Sequence, residues 1–87
     1  IVDGGVEIRD VSAAGNGGDG ARIDAAVFGM KILDSTFKKN DGEGLRVQGQ
    51  ICWVEGNVAK SGNGLVDEGT GNDGRGNKVK GEATNDF

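Results

Sequence analysis

Acidic residues recur at near-constant spacing along this chain. Asp10, Asp34 and Glu55 each end a short apolar alternation. If the segments stack in parallel, the three carboxylates form a column with neighbours about 4.8 Å apart. Stacked carboxylates repel one another unless a cation compensates. The column therefore predicts a Ca²⁺ site or the paired acids of a glycosidase. The alternative is a polar face that keeps the coils in register and blocks edge aggregation.

Two arginines recur with the same spacing. Arg22 and Arg46 each follow an acid by three positions, Asp19 in one case and Glu43 in the other. A guanidinium pairs bidentately with carboxylates, so this column is suited to gripping an anionic sugar. The alternative is that each arginine neutralises the acid upstream of it.

Trp53 is the one tryptophan of the chain, and it is a candidate platform for stacking a sugar ring. Its position matches Ile8 and Ile32 of earlier segments, which predicts core packing or a cap instead. A change in phase of one residue would expose Trp53 and turn Cys52 inward. The candidate glycan-binding residues are Trp53, Arg22, Arg46, Asp34 and Glu55.

Other site chemistry is less well supported. The chain has no His, so Cys52 has no imidazole partner for nucleophilic catalysis. Residues 17–23 come near a Ca²⁺-binding repeat, but Arg22 stands where that repeat has its carboxylate. No catalytic residue or resident metal is assigned. The expected cofactor set is empty, apart from the Ca²⁺ that the carboxylate column would accept.

An internal repeat determines how these residues are positioned. Residues 6–10 align with residues 30–34 at an offset of 24, and the match continues without a gap to Arg22 over Arg46. Residues 51–55 follow residues 30–34 at an offset of 21. Identical repeats in one orientation stack most simply as parallel coils.

Each repeat contains short period-two alternations separated by Gly, Asn and Asp. Val6 with Ile8 and Leu45 with Val47 are examples of apolar residues flanking a polar one. This pattern is typical of half-buried strands joined by tight corners. The sequence predicts an all-β fold, a short parallel β-helix of about four coils in one domain over residues 1–87. Residues 1–65 hold the well-patterned coils, and residues 66–87 are expected to form a degenerate last coil or cap, or to be partly disordered.

The coil pattern resembles the right-handed parallel β-helix repeats of the pectate-lyase-like superfamily. The segments that carry the resemblance are residues 20–23 with 30–40, and residues 44–47 with 55–63. They are similar to coils of alginate C5-epimerases and of carbohydrate-associated β-helix modules. The resemblance implies the right hand of the helix and a link to polysaccharides. It implies no particular activity, and the absence of His and Tyr removes the usual acid–base residues of the epimerases.

Composition limits the partners. The net charge is −4, and ten basic residues are interspersed with fourteen acids, which argues against nucleic acid. No apolar run is long enough to span a bilayer. We expect a polysaccharide partner, or self-association through the open ends of the coil stack. An extracellular or cell-surface location is slightly favoured.

The sequence therefore favours a non-catalytic β-helix module with a structural or polysaccharide-binding role. One alternative is a fragment of a carbohydrate-active enzyme, such as a polysaccharide lyase, an epimerase or a glycosidase. Another is a self-assembling domain of a spike or surface protein. Whether the chain acts as an enzyme stays open at this point.

Overall fold

The computed structural model describes residues 7–87, and its regular structure consists of short parallel strands. In chain order the strands are β1 (Glu7–Arg9), β2 (Ser12–Ala14), β3 (Ala21–Ile23), β4 (Lys31–Leu33), β5 (Thr36–Lys38), β6 (Leu45–Val47), β7 (Trp53–Glu55), β8 (Val58–Lys60), β9 (Leu65–Asp67), β10 (Asp73–Arg75) and β11 (Lys78–Val79). Residues 7–87 contain no helix, and hence none that could cross a membrane.

The strands stack into three parallel sheets that wrap around one core. Sheet 1 is β1-β4-β7-β10, sheet 2 is β2-β5-β8-β11, and sheet 3 is β3-β6-β9. Each coil contributes one strand to each sheet, so the chain is a parallel β-solenoid. The predicted fold class is confirmed, with three complete coils and two strands of a further turn in place of four coils.

The register follows the repeat, with a shortening offset. Glu7 pairs with Lys31 at an offset of 24, as the sequence predicts. The next offset in sheets 1 and 2 is 22, which pairs Ile32 with Val54. The predicted offset of 21 was therefore wrong by one residue. Because side chains alternate between the two faces of a strand, this error reverses the direction of every side chain in β7.

The core is a column of apolar side chains that point inward from all three sheets. Its members are buried and stack coil upon coil: Ile23, Val27, Met30, Ile32, Phe37, Leu45, Val47, Cys52, Val54, Ala59 and Leu65. In the first coil Ile8, Ala13 and Ala21 are only partly buried. Val6, which the alternation also predicts to point inward, lies outside the described residues.

Two columns of asparagine tie the corners of the coils together. One joins Asn16, Asn40 and Asn63, in which Asn16 donates to Asn40 and Asn40 donates to Asn63. The other runs through Asn57 and Asn77, where the Asn57 side chain receives the Ser35 backbone N–H at 2.9 Å. Asn57 and Asn63 are fully enclosed. Burying an amide without partners is costly, and these ladders supply the partners.

The corners themselves require left-handed backbone. Three columns adopt positive φ, and they consist of Asp10, Asp34, Gly56 and Gly76; of Gly15, Lys39, Ser61 and Gly81; and of Gly29, Ile51 and Gly71. Glycine or a short polar residue occupies most of these positions, as this conformation favours. Lys39 and Ile51 are the exceptions, and Ile51 is the one with a β-branched side chain.

The end of the chain returns to sheet 3. The backbone N–H of Leu65 donates to Thr84, and that of Asp86 donates to Leu65. Phe87 is partly buried and packs against the core. Residues 66–87 thus contain β10, β11 and a last segment that covers the end of the third coil.

Candidate functional site

The outer side of sheet 1 holds a mixed aromatic and charged surface, which we call the Trp53 face. Two columns of outward side chains define it. In the register of the sheet they are Glu7, Lys31, Trp53 and Asp73, and beside them Arg9, Leu33, Glu55 and Arg75. The strands that carry them are short and stacked in register, so the face is a flat strip along the solenoid axis.

Trp53 lies on this outer face, contrary to the predicted position among the core residues. The observed register pairs it with Lys31, whereas the core position of Ile32 is taken by Val54. Cys52 points inward and is 2% exposed. The alternative phase, with Trp53 outside and Cys52 inside, is therefore the one that the structure adopts.

A hydrogen bond fixes the indole of Trp53. Its Nε1–H donates to Oε1 of Glu55 at 2.7 Å. Trp53 itself is half-buried and Glu55 is exposed. A ring held by its polar edge offers its remaining surface to solvent in one orientation, which lowers the entropic cost of stacking a ligand on it.

The predicted carboxylate column is wrong in its third member. Asp10 and Asp34 share a left-handed corner column, but Gly56 occupies that position in the third coil. Glu55 instead pairs with Leu33 on the flat face. The backbone N–H of Asp34 donates to the carbonyl of Glu55 at 3.1 Å, so Asp34 lies at the corner beside the Trp53 face. Three stacked carboxylates are not assembled there.

The arginines lie on the outside of sheet 3, where Arg22 pairs with Arg46 as predicted. Arg46 bonds across coils: its Nε lies 2.9 Å from Asp19 of the preceding coil and its Nη1 lies 2.7 Å from Glu68 of the next. The predicted neutralisation of Glu43 by Arg46 is therefore replaced by an interaction that connects three coils.

This ion pair shifts the titration of its members. The hydrogen bond from Arg46 holds the pKa of Asp19 below its ordinary value, against a smaller opposing effect of burial. The same hydrogen bond raises the pKa of Arg46. Arg46 is thus paired with two acids of this chain, whereas none of the ion pairs among residues 7–87 involves Arg22.

The five candidate glycan-binding residues therefore fall into two groups. Trp53, Glu55 and Asp34 lie on or beside sheet 1, and Arg22 and Arg46 lie on sheet 3. The two groups belong to different faces, so the residues do not converge on one site.

Sequence reasoning missed a cationic surface on the outside of sheet 2, which we call the lysine face. It consists of Lys38, Lys60, Lys78 and Lys80, with Lys38 directly paired to Lys60. Lys80 continues this column, because its backbone N–H donates to Ala59 and Val79 pairs with Ala59. The strands of sheet 2 carry no acidic residue. The signal was present in the sequence, since Lys38, Lys60 and Lys80 recur at the repeat offsets of 22 and 20.

No three His, Cys, Asp or Glu side chains among residues 7–87 are grouped so that they could hold a metal ion. No pocket is found in the same part of the chain. The available binding surfaces are the flat outer sides of the sheets.

Comparisons with known proteins add no assignment. A scan against protein-family models, a search of curated proteins and a search of solved structures each found no match to this chain.

Proposed function

We propose that this chain is a non-catalytic solenoid module that binds a polysaccharide on the Trp53 face. The observation that carries the proposal is the outward indole of Trp53, oriented by its 2.7 Å hydrogen bond to Glu55. Aromatic rings bury large apolar area while keeping a polar edge hydrated, which matches the mixed faces of a sugar ring.

The surroundings of the indole support a sugar ligand. Lys31 and Asp73 flank Trp53 above and below in the sheet, and both are exposed. They supply one hydrogen-bond donor group and one acceptor group at neighbouring positions along the strip. A linear glycan lying along the solenoid axis would meet Lys31, then the ring, then Asp73.

Replacing Trp53 by alanine tests the proposal. We expect W53A to lose at least about tenfold in affinity for a neutral polysaccharide that binds wild type, since tenfold corresponds to about 1.4 kcal/mol of lost stacking. The measurement is affinity electrophoresis in gels containing soluble β-glucan, xylan or galactomannan. In wild type, the fluorescence of this single tryptophan should change as the glycan is added.

The matched control is F28A, because Phe28 is an aromatic residue that is 65% exposed and lies outside the strands of sheet 1. F28A should retain wild-type affinity. Equal affinity of W53A and wild type would contradict the proposal. Release of new reducing ends from a bound polymer would contradict its non-catalytic part and favour an enzyme fragment.

A further inference from the structure

We infer that the lysine face is a second binding site, and that its ligand is a linear acidic polysaccharide. The inference stands apart from the Trp53 face, because a different sheet carries it. Lys38, Lys60 and Lys80 form one outward column, and Lys78 stands in the neighbouring one. Among residues 7–87, none of the ion pairs involves these four lysines.

The concentration of charge is unusual for this molecule. The whole chain carries −4, yet the strands of sheet 2 present only cationic and neutral side chains. On the outer side of sheet 3, by contrast, Arg46 is paired with the acids Asp19 and Glu68. Lysines that are interspersed with acids along the sequence are therefore gathered on one face, because the coil assigns each repeat position to one face.

The lysine column works against folding. Like charges directly opposite each other on neighbouring strands repel, and stacked residues lie about 4.8 Å apart. Apolar or uncharged residues would suit these outward positions as well, as Ala14 and Thr36 show on the same sheet. No acid in residues 7–87 forms an ion pair with this repulsive column. An anionic ligand that supplies the opposite charge would explain why the lysines are there.

The dimensions of the lysine face suit a single extended polymer as the ligand. Strands of three residues and a stack of four give a face of about 10 by 19 Å, or about 200 Å². A stable protein partner buries about 800 Å² on each side, so the face is too small for one. A chain with one charge per sugar has a repeat comparable to the separation of the coils, and would place one anion beside each stacked lysine.

Nucleic acid fits less well. Single-stranded nucleic acid is held by a basic groove with aromatic side chains on which bases stack, and the strands of sheet 2 present no outward aromatic residue. A duplex would also approach the acidic remainder of the chain. A narrow glycan can stay within the limits of the lysine face.

The test compares wild type with the triple variant K38Q/K60Q/K80Q and the single variant K60Q. The probe is polyglucuronate, a linear polymer with one carboxylate per sugar, with neutral dextran and single-stranded polydeoxythymidylate as the other arms. We expect the triple variant to lose at least about tenfold in polyglucuronate affinity and K60Q several-fold, and wild-type binding to weaken as salt rises. The matched control R22Q removes one positive charge from sheet 3, outside both proposed binding faces, and should bind as wild type does.

The urea midpoint at low salt separates binding from a purely structural role. K60Q should unfold at the same or higher urea concentration than wild type, because the repulsion with Lys38 and Lys80 is relieved. W53A should keep its affinity for polyglucuronate, so failure of the Trp53 proposal leaves this inference intact. Polyglucuronate binding that is unchanged in both lysine variants, equally weakened in R22Q, or weaker in wild type than binding of polydeoxythymidylate would overturn the inference.

Discussion

At the scale of single residues, the corner at Ile51 is the least favourable position in the described chain. Ile51 has a φ of 53° and is 58% exposed, whereas Gly29 and Gly71 occupy the same column in neighbouring coils. A β-branched side chain in left-handed backbone is strained, and Ile51 recovers little by burial. The residue is explained neither by packing nor by turn chemistry.

Ile51→Gly should therefore stabilise the protein. We expect the free energy of unfolding to rise by about 1 kcal/mol, the cost of left-handed backbone for a residue with a Cβ. Urea denaturation followed by circular dichroism measures it. The control G71A should be destabilised, since it introduces the same strain in the next coil, where φ is 69°. A loss of stability in I51G would show that the corner is not strained.

The ion pair between Asp19 and Arg46 should make stability depend on pH. The pKa of Asp19 is lowered in the folded state by the Arg46 hydrogen bond. Its contribution is therefore fully present above the unfolded pKa of about 4, and is lost as pH falls through the lower folded value.

Wild type should exceed D19N in stability by about 1 kcal/mol at neutral pH, the upper range for partly exposed pairs. The difference should shrink as pH falls below the unfolded pKa of Asp19 and through its lower folded pKa, where the carboxylate becomes protonated. Urea midpoints of both proteins at a series of pH values measure this. D41N is the control, because Asp41 is an exposed carboxylate without an ion pair to the described residues. A difference that stays constant down to pH 2 would contradict the prediction.

At the scale of the structural elements, the asparagine ladders define the corners. Asn57 accepts the N–H of Ser35 and donates to the carbonyl of Ile32 at 2.9 Å, and both bonds are buried. The side chain thus substitutes for a missing backbone partner between sheets 1 and 2. An apolar residue of the same size would leave the buried N–H of Ser35 without this acceptor.

Asn57→Ala should cost about 1 to 3 kcal/mol in the free energy of unfolding, because it leaves the buried N–H of Ser35 unsatisfied. Asn16→Ala is the control at the exposed end of the other ladder, and it should cost less than about 1 kcal/mol. Denaturant unfolding compares them. Equal losses of unfolding free energy in the two variants would show that the stabilisation by a ladder asparagine does not depend on its burial.

The sequence predicted the strands more accurately than the site. The gap-free repeat fixed the pairing of Arg22 with Arg46, because equal spacing leaves only one alignment. The third coil is two residues shorter in sheet 1, and an Ile at position 51 resembles a core residue although it forms a corner. That resemblance produced the register error and placed Trp53 inside.

The lysine face was missed for a related reason. At the predicted offset of 21, Lys38 falls over Ala59, whose side chain points inward, so the lysine column does not appear. Lys38 and Lys60 acquire a common face only through the pairing of β5 with β8. The interaction of Arg46 with Asp19 and Glu68 was equally hidden, because it depends on side-chain reach between coils.

At the scale of the whole molecule, the solenoid is a core column surrounded by three outer faces of different chemistry. Sheet 1 presents an aromatic and mixed surface, sheet 2 a cationic one, and sheet 3 two arginines, of which Arg46 is paired with Asp19 and Glu68. This separation depends on the register, since a slip of one residue exchanges inner and outer side chains in every affected strand. The expected self-association through the coil ends stays a prediction.

The central claim is the register of the third coil, which places Trp53 outside and Cys52 inside. Cys52 is the one cysteine of the chain, so the reaction of the native protein with a thiol reagent such as dithiobis-nitrobenzoate reports on it directly. We predict that the native thiol reacts at least about a hundredfold more slowly than in urea, because it reacts only after the core opens. With the alternative offset of 21, Cys52 would share the outward position of Lys31. Labelling of the native protein at the rate of the unfolded chain would contradict the register, and with it the Trp53 face.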